Sequence, residues 1–213
     1  MVEAILWDND GVLVDTEGLF FQATRATLAR AGVELTPELF VEYAMRLGRS
    51  TLELAEAQGW SPEQVEGLRD DRNLLYSNLL RTQRSVFPSV LKVLQELACK
   101  ARMAVVTSSR REHVDIAHER NGLAGFFEFI IAWEDYRYSK PHPEPYQMAL
   151  QRLNLPADRC VVIEDSERGL VSALAAGLRC VVVPNGFTQN CAFQGATAIL
   201  PDLTAVPAFV AGL

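Results

Sequence analysis

The stretch Ala4–Gly11 reads AILWDNDG, and it decides how the rest of the chain is interpreted. Four apolar residues without alternation are typical of a strand that is buried on both faces of a parallel sheet. Two carboxylates, Asp8 and Asp10, follow at once, and a turn could direct both toward one site. Gly11 permits a tight turn and a close approach of the backbone. The same residues also favour a turn that merely closes a strand, so this stretch alone leaves both interpretations open.

Further short apolar runs resemble the first and predict more buried strands. They are Met103–Val106, Phe129–Ala132, Cys160–Ile163 and Cys180–Val183. Helical patterns precede them at residues 90–97, 111–121, 143–153 and 169–176, with Pro143 in a first turn and Gly122 and Gly177 as stops. This alternation predicts an α/β fold with a doubly wound, Rossmann-like parallel sheet. After Val183 we expect one short strand at residues 197–200 and otherwise irregular structure.

One interval departs from this alternation. Residues 15–84 contain no strand-like run and carry helical periodicity, with breaks near Gly32–Pro37 and Gly59–Pro62. They predict three or four helices inserted as a cap, which leaves residues 1–14 and 85–213 as the Rossmann-like core. Because the insertion begins at the carboxyl end of the first strand, where open α/β sheets bind ligands, we expect it to lie near the site. The alternative is a helical domain without a role there.

Composition limits the partners. The chain has 213 residues, 49% of them hydrophobic, which suffices for one core without a disulfide or a structural metal. A net charge of −7 and the lack of a basic run argue against nucleic acid, and an anionic substrate would need local cations, a metal or amides. The four cysteines lack zinc spacing, and Cys160 and Cys180 are expected to be core thiols. With no leader and no 18-residue apolar run, we expect a soluble, cytoplasmic monomer without membrane contact.

Three other predicted strands are followed by polar side chains. They are Thr107-Ser108-Ser109 after the second strand, Lys140 in a loop after the third, and Glu164-Asp165 after the fourth. Each has an ordinary explanation, since hydroxyls and carboxylates cap helices and a loop lysine is usually solvated. Together with Asp8 and Asp10, and at one edge of one sheet, they supply an attacking carboxylate, a second carboxylate, hydroxyls, a cation and a metal ligand. Phosphoryl transfer requires this set.

In order and spacing, these residues resemble the four motifs of the haloacid dehalogenase superfamily. The motifs are Asp8–Glu17, Val106–Ser108, Lys140-Pro141 and Ile163–Ser166, and the resemblance covers essentially the whole chain. It is closest to the branch with a helical cap after the first strand, which includes β-phosphoglucomutase and the sugar-phosphate and phosphoglycolate phosphatases. Asn9 and Trp7 depart from the family pattern, which has Leu or Met and Phe at these positions.

The resemblance implies a role for each motif residue. Asp8 would attack phosphorus and carry an aspartyl-phosphate, and Asp10 would act as general acid and base. Thr107 would bind the transferring phosphoryl group, with Ser108 and Ser109 as further substrate contacts, and Lys140 would neutralise charge. Mg²⁺ would bind the Asp8 carboxylate, the Asp10 carbonyl oxygen and Asp165, while Glu164 orients a ligand water. In the cap, Gly48 and Arg49 would contact the substrate, unless Arg49 is an ordinary helix-end arginine.

Asp10 and Phe20 select among reactions. Dehalogenases of this superfamily lack an aspartate at the Asp10 position because halide departure needs no proton, whereas a sugar alkoxide does. The mutases carry a histidine near residues 18–21, where this chain has Phe20. We therefore expect a Mg²⁺-dependent phosphatase of a small phosphorylated metabolite, in particular a sugar phosphate. A hexose-phosphate mutase of the β-phosphoglucomutase type is the alternative, followed by a non-catalytic phosphate-binding regulator.

Overall fold

Within residues 2–213, which the computed structural model describes, the chain forms one six-stranded parallel sheet. In spatial order it runs β3-β2-β1-β4-β5-β6. The strands are β1 (Ala4–Trp7), β2 (Arg102–Val106), β3 (Ile130–Ile131), β4 (Cys160–Glu164), β5 (Arg179–Val182) and β6 (Ala198–Ile199). Trp7 pairs with Val105 on one side and Ile163 on the other, so Asp8 emerges at the middle of the carboxyl edge. The predicted α/β class is confirmed.

Four α-helices and a π-helical turn directly follow β1 in the chain. They are α1 (Glu17–Ala29), α2 (Pro37–Phe40), the π-helical turn Val41–Arg46, α3 (Glu53–Glu56) and α4 (Pro62–Thr82). We call Glu17–Thr82 the helical insertion. It has its own apolar cluster, which includes Leu28, Phe40 and Leu68. The insertion begins and ends beside the sheet edge, whereas the exact domain limits at residues 14/15 and 84/85 stay a prediction.

The remaining helices cover the sheet. They are α5 (Val90–Leu97), α6 (Arg111–Asn121), α7 (Glu144–Leu153), α8 (Glu167–Ala175) and α9 (Val206–Ala211). Alternate residues of β1 serve opposite faces: Ile5 and Trp7 join one apolar cluster, Ala4 and Leu6 the other. No helix of residues 2–213 is both long enough and apolar enough to cross a membrane.

The structure corrects two predictions about secondary structure: one strand is present but shorter than expected, and the tail holds a helix that was not expected. The strand expected at 129–132 shortens to Ile130–Ile131, because the carboxylate of Asp135 accepts a hydrogen bond from the Ala132 amide at 2.8 Å and starts a 3-10 turn. The tail, expected to be irregular after its short strand, contains α9. Val206 and Val210, four residues apart, bury one face of that helix in the core.

Candidate active site

A cavity of about 530 Å³ lies between the carboxyl edge of the sheet and the helical insertion. Asp8, Asp10 and Asp165 line it from the sheet side, and Phe20 and Tyr76 line it from the insertion. The strand ends that the sequence singled out therefore meet at one cavity, and the insertion forms its opposite wall. The insertion therefore lies at the site, and its role there stays a prediction.

Lys140 is buried beneath the sheet side of the cavity, behind Asp8. Its Nζ donates hydrogen bonds to Asp8 Oδ1 at 2.7 Å, to Glu164 Oε1 at 2.7 Å and to the Val106 carbonyl oxygen at 2.8 Å. The side chain is 2% exposed, so the alternative of a solvated loop lysine is wrong. Burial alone would lower its pKa, but the two carboxylates outweigh burial and raise it. Lys140 is therefore a fixed positive charge.

Glu164 is fully buried, and both of its carboxylate oxygens are engaged. Oε1 accepts hydrogen bonds from Lys140 and from Tyr146 Oη at 2.8 Å, and Oε2 accepts from Ser166 Oγ at 3.1 Å. Burial would raise the Glu164 pKa, but Lys140 and these donors lower it. A side chain at Gly169 would collide with this carboxylate, which explains the glycine. Ser166 also caps α8, accepting a bond from the Gly169 amide at 3.2 Å, so the helix-cap interpretation is correct for Ser166.

A second group of carboxylates lies beside this network. Asn185 Nδ2 donates to Asp165 Oδ2 at 2.7 Å and to Glu17 Oε2 at 2.9 Å. Burial, with the charges of Glu17 and Asp8, raises the pKa of Asp165 well above its usual range. Burial likewise raises the pKa of Glu17 to about 8. Gly11 (φ +82°) passes so close to Asp165 and Asn185 that no Cβ would fit.

These groups fit a divalent cation. Asp8, Glu164 and Asp165 each offer a carboxylate oxygen within 4.8 Å of the others. Burial and Glu164 raise the pKa of Asp8 to about 7 although Lys140 opposes them, so the cluster holds more negative charge than one lysine offsets. Oxygen donors suit Mg²⁺. Because Glu164 is already engaged by Lys140, Tyr146 and Ser166, Asp8 and Asp165 are the carboxylates freer to ligate.

Asp10 is held by five donors. Oδ1 accepts from Thr16 Oγ1 at 2.5 Å and Tyr76 Oη at 3.4 Å, and Oδ2 accepts from Ser109 Oγ at 2.7 Å. Thr107 Oγ1 and Asn9 Nδ2 each add a bond of 3.2 Å to Oδ2. In this conformation the hydroxyls of Thr107 and Ser109, which were expected to contact substrate, bond to Asp10 instead.

The hydroxyl motif does not cap the following helix. The N-cap of α6 is Arg110, without a side-chain cap, so the capping interpretation of residues 107–109 was wrong. The Ser109 amide instead donates to Thr107 Oγ1 at 3.0 Å, and Ser108 Oγ bonds to Ser139 Oγ at 3.1 Å. All three side chains line the cavity, which leaves them available to an anionic ligand.

Gly48 and Arg49 also line the cavity. Gly48 adopts a left-handed backbone conformation (φ +63°) and packs against the Lys140 carbonyl oxygen. The Arg49 side chain is 56% exposed and forms an ion pair with Glu53, one helical turn later. The structure therefore already supplies Arg49 with a counter-charge, and its contact with substrate stays a prediction.

Asn9 connects the site to a buried histidine. His118 Nε2 lies 2.8 Å from Asn9 Oδ1, while Asn9 Nδ2 donates to Asp10. Since the Asn9 oxygen must accept, His118 carries a proton on Nε2. Burial lowers the pKa of His118 to about 4. Asn9, which stands where the family has an apolar residue, thus has a polar partner in His118 on α6.

We expect His118 to make the protein less stable in acid. Its pKa is about 4 in the fold and 6.5 in the unfolded chain, so between pH 6.5 and 4 only the unfolded chain binds the proton. Stability should fall as pH drops through that window, by about 3 kcal/mol in all. Urea unfolding at pH 7.0, 5.5 and 4.5 measures this, with His118→Gln as the comparison because glutamine does not titrate. Parallel pH profiles for the two proteins would contradict the prediction.

Several cavity residues were not identified from the sequence. They are Glu17, Arg72, Tyr76, Arg110 and Arg168. Asn185, which bonds to Asp165 beside the cavity, was also missed. Only the α4 residues carried a signal: Arg69, Arg72 and Tyr76 recur at helical spacing and so share one face of α4. Periodicity identifies such a face but not the surface it meets, because that depends on how the insertion packs.

Comparison with known proteins gives concordant matches. A family model described as haloacid dehalogenase-like hydrolase matches residues 5–183. Protein CbbY of Rhodobacter capsulatus is 32% identical, with 96% of this chain and 95% of that protein covered. The phosphorylated carbohydrates phosphatase of Thermotoga maritima is 29% identical, with coverages of 83% and 82%. A crystal structure of a CbbY variant from Rhodobacter sphaeroides in complex with xylulose-(1,5)bisphosphate superposes with a TM-score of 0.80 at 27% identity, covering 95% of each chain.

Proposed function

The chain belongs to the haloacid dehalogenase-like hydrolase family and is a phosphoric monoester hydrolase, and we propose that it hydrolyses a small phosphorylated carbohydrate through an aspartyl-phosphate on Asp8. One observation carries the mechanism. Lys140, buried and charged, holds Asp8 at 2.7 Å at the edge of the cavity, two residues before Asp10. A fixed nucleophile and a second carboxylate line one cavity, and a buried cation bonds to the nucleophile from behind. That set serves phosphoryl transfer, in which positioning and charge neutralisation do most of the work.

In the first step a carboxylate oxygen of Asp8 attacks phosphorus. A bond from oxygen to phosphorus forms as the bond from phosphorus to the sugar oxygen breaks, and protonated Asp10 gives its proton to the departing oxygen. Lys140 offsets the charge of Asp8 and the phosphoryl group. Thr107, Ser108 and Ser109 donate to the phosphoryl oxygens, for which Thr107 and Ser109 must exchange their bonds to Asp10.

In the second step a water attacks the same phosphorus. Asp10, now ionised, accepts the water proton as the new bond forms, and the bond to Asp8 breaks to release inorganic phosphate. Asp8 and Asp10 end in their starting states. When bound by Asp8, Asp165 and the main-chain carbonyl of Asp10, Mg²⁺ would supply positive charge against the repulsion between a carboxylate and a phosphate dianion.

Phe20 supports water rather than a sugar as the acceptor. Its ring packs against Tyr76 with the centroids 5.1 Å apart, and it lies beneath the Arg72 guanidinium at 4.8 Å. At this point of the cavity the chain presents an aromatic ring where mutases carry a histidine. The mutase alternative nevertheless uses the same catalytic residues, Asp8, Asp10 and Lys140. A monomeric state and a cytoplasmic location stay predictions.

We expect Mg²⁺-dependent release of inorganic phosphate. Purified protein in excess Mg²⁺ is tested on p-nitrophenyl phosphate and on a panel of sugar phosphates, phosphoglycolate and nucleotides. Chelation should abolish turnover, and Mg²⁺ should restore it. If no compound of the panel is hydrolysed, a non-catalytic phosphate-binding protein is favoured.

A separate assay decides between phosphatase and mutase. β-Glucose 1-phosphate is supplied with a bisphosphate primer, and glucose 6-phosphate and free phosphate are both measured. We expect free phosphate with little isomerised sugar. Steady formation of glucose 6-phosphate without free phosphate would assign the mutase reaction instead.

A further inference from the structure

Asn9 stands between the two catalytic aspartates in the chain, and its side chain is almost completely buried. It bonds in two directions. Nδ2 donates to Asp10 Oδ2 at 3.2 Å, and Oδ1 lies 2.8 Å from His118 Nε2. His118 is also buried and belongs to α6, so Asn9 joins the expected general acid to a helix outside the cavity lining.

The amide of Asn9 has one orientation that suits both neighbours. An ionised carboxylate only accepts hydrogen bonds, so the NH2 group must face Asp10 and the oxygen must face His118. The reverse orientation would set the amide oxygen against a carboxylate oxygen. Within residues 2–213, His118 makes its only side-chain hydrogen bond to Asn9. The histidine therefore fixes which end of the amide faces Asp10.

His118 is itself held by packing. Its ring lies against Phe127 with the centroids 5.5 Å apart. Its main-chain oxygen accepts a hydrogen bond from the Leu123 amide at 2.9 Å, where α6 ends at Gly122. Protein interiors are close-packed, so a buried ring on a helix has little room to move. Asn9 is thus tied to a fixed point of the fold.

The other two donors to Asp10 Oδ2 have a second task in the proposed mechanism. Thr107 Oγ1 reaches that oxygen at 3.2 Å and Ser109 Oγ at 2.7 Å, and both hydroxyls must turn to the phosphoryl group. Once they turn, Asn9 is the donor that remains on Oδ2 among the described residues. Its amide cannot turn with them, because His118 holds the other end.

We propose that Asn9, anchored by His118, keeps the Asp10 carboxylate in place while the neighbouring hydroxyls bind the phosphoryl group. The inference rests on the proposed function and adds two positioning residues to it. Neither lines the cavity, since Asn9 acts through Asp10 and His118 acts through Asn9. A displacement of about 1 Å can cost about 100-fold in rate, so the pair matters most where the leaving oxygen needs a proton.

Two single variants test the pair. Asn9→Leu removes the donor to Asp10, and His118→Leu removes the donor to Asn9. We expect each to lower kcat/KM by about 10- to 100-fold for the fastest sugar phosphate of the panel, and by less than about threefold for p-nitrophenyl phosphate, which needs no proton. The ratio kcat/KM reports the steps up to departure of the leaving group, so hydrolysis of the aspartyl-phosphate does not mask the effect. Equal losses on both esters would overturn the proposal.

A conservative variant should rescue the function of His118. The side-chain amide of glutamine can donate to the Asn9 oxygen as the imidazole does. His118→Gln should therefore keep kcat/KM for the sugar phosphate within about threefold of the parent, because the charge-neutral hydrogen bond is retained. A loss in His118→Gln as large as that in His118→Leu would show that the hydrogen bond is not what matters, and would reject the anchor.

A double variant separates positioning from stability. Each single variant leaves one buried polar group without its partner, whereas Asn9→Leu/His118→Leu removes both groups and should recover thermal stability. We expect kcat/KM for the sugar phosphate to stay as low as in Asn9→Leu, because Asp10 still lacks its donor and both residues act through the same bond. Recovery of kcat/KM together with the Tm would assign the pair a purely structural role.

Asn121 provides the matched control. It is also a buried asparagine of α6, but it bonds to Ser85 and to the Ala117 carbonyl oxygen, away from the site. Asn121→Leu should lower the Tm and keep the parent's ratio of kcat/KM between the sugar phosphate and p-nitrophenyl phosphate. A changed ratio in Asn121→Leu would show that the ratio follows stability, and would refute the role of the pair.

Failure of the pair and failure of the phosphatase assignment are distinguishable. Turnover with equal losses on both esters rejects the pair alone. If no ester is hydrolysed, crystal structures of the parent and of His118→Leu with Mg²⁺ and inorganic phosphate still test the pair. It is supported if the hydroxyls bond to phosphate while Asn9 stays on Asp10 in the parent, and Asp10 is displaced in the variant. An Asn9–Asp10 bond that breaks in the parent, an unmoved Asp10 in the variant, or a site without phosphate would reject it.

Discussion

Replacing Asp8 with asparagine is expected to abolish phosphatase turnover, by at least about 10⁴-fold in kcat. The amide oxygen is neutral and a poor nucleophile, so it cannot form the acyl phosphate. The fold should survive, because asparagine has nearly the same shape and Lys140 keeps its 2.7 Å bond to Glu164. Mg²⁺ binding should weaken without being lost, since Asp165 and the Asp10 carbonyl remain. Release of phosphate from p-nitrophenyl phosphate, thermal unfolding and a Mg²⁺ titration measure the three effects.

A chemical trap makes the test of Asp8 specific. Hydroxylamine added during turnover converts an aspartyl-phosphate into a hydroxamate, which mass spectrometry can locate in the peptide that contains Asp8. The label should appear in the parent and be absent from Asp8→Asn. Asp115→Asn, which removes an exposed carboxylate on α6, is the matched control and should keep full activity. Activity of the Asp8 variant within tenfold of the parent would rule out Asp8 as the nucleophile.

Much of the site could be predicted because its residues directly follow strands. In a parallel sheet all carboxyl ends meet at one edge, so Asp8, Thr107 and Asp165 had to come together once the strands were identified. The sequence does not reveal which side chains form hydrogen bonds with these groups. Glu164 was expected to orient a metal-bound water, but in the structure its Oε1 accepts hydrogen bonds from Lys140 and Tyr146. Tyr146 lies on α7, 18 residues earlier in the chain.

The insertion was harder to interpret than the sheet. Its helical nature followed from periodicity, but the contacts of α4 with the cavity depend on tertiary packing, which leaves little trace in a single sequence. Arg72 looked like any polar residue of a surface helix, although it is buried over Phe20. Arg49 shows the opposite case. It lies just before α3 and pairs with Glu53 four residues later, which supplies a counter-charge, and its contact with a substrate phosphate stays a prediction.

Asn9 illustrates a departure whose meaning lies elsewhere in the chain. Position 9 carries a polar residue where the family pattern has an apolar one. The structure shows why the residue is tolerated, since His118 bonds to its oxygen at 2.8 Å. The two residues are 109 positions apart in the chain, which explains why no local pattern could predict the pair.

We expect Asp10→Asn to slow hydrolysis by a factor that is larger for poor leaving groups than for good ones. Asp10 would protonate the departing oxygen, and a positioned general acid contributes about 10²- to 10⁴-fold. Asp10→Asn should therefore lose about that much on alkyl phosphates such as a sugar phosphate, whose alkoxide needs a proton. The loss should be far smaller for p-nitrophenyl phosphate, because a nitrophenolate departs without one. The measurement is kcat for a series of phosphate esters with leaving groups of increasing pKa.

The same series separates general acid catalysis from a structural role for Asp10. Five donors converge on its carboxylate, so the variant could also misplace Thr107 and Ser109, which contact the phosphoryl group in the proposed mechanism. Misplaced hydroxyls would slow every ester by a similar factor, whereas a missing proton steepens the dependence on leaving-group pKa. Asp15→Asn, which changes an exposed carboxylate five residues later, should leave that dependence unchanged. Equal slowing with good and poor leaving groups would remove Asp10 as the acid and leave it as the residue that positions the hydroxyls.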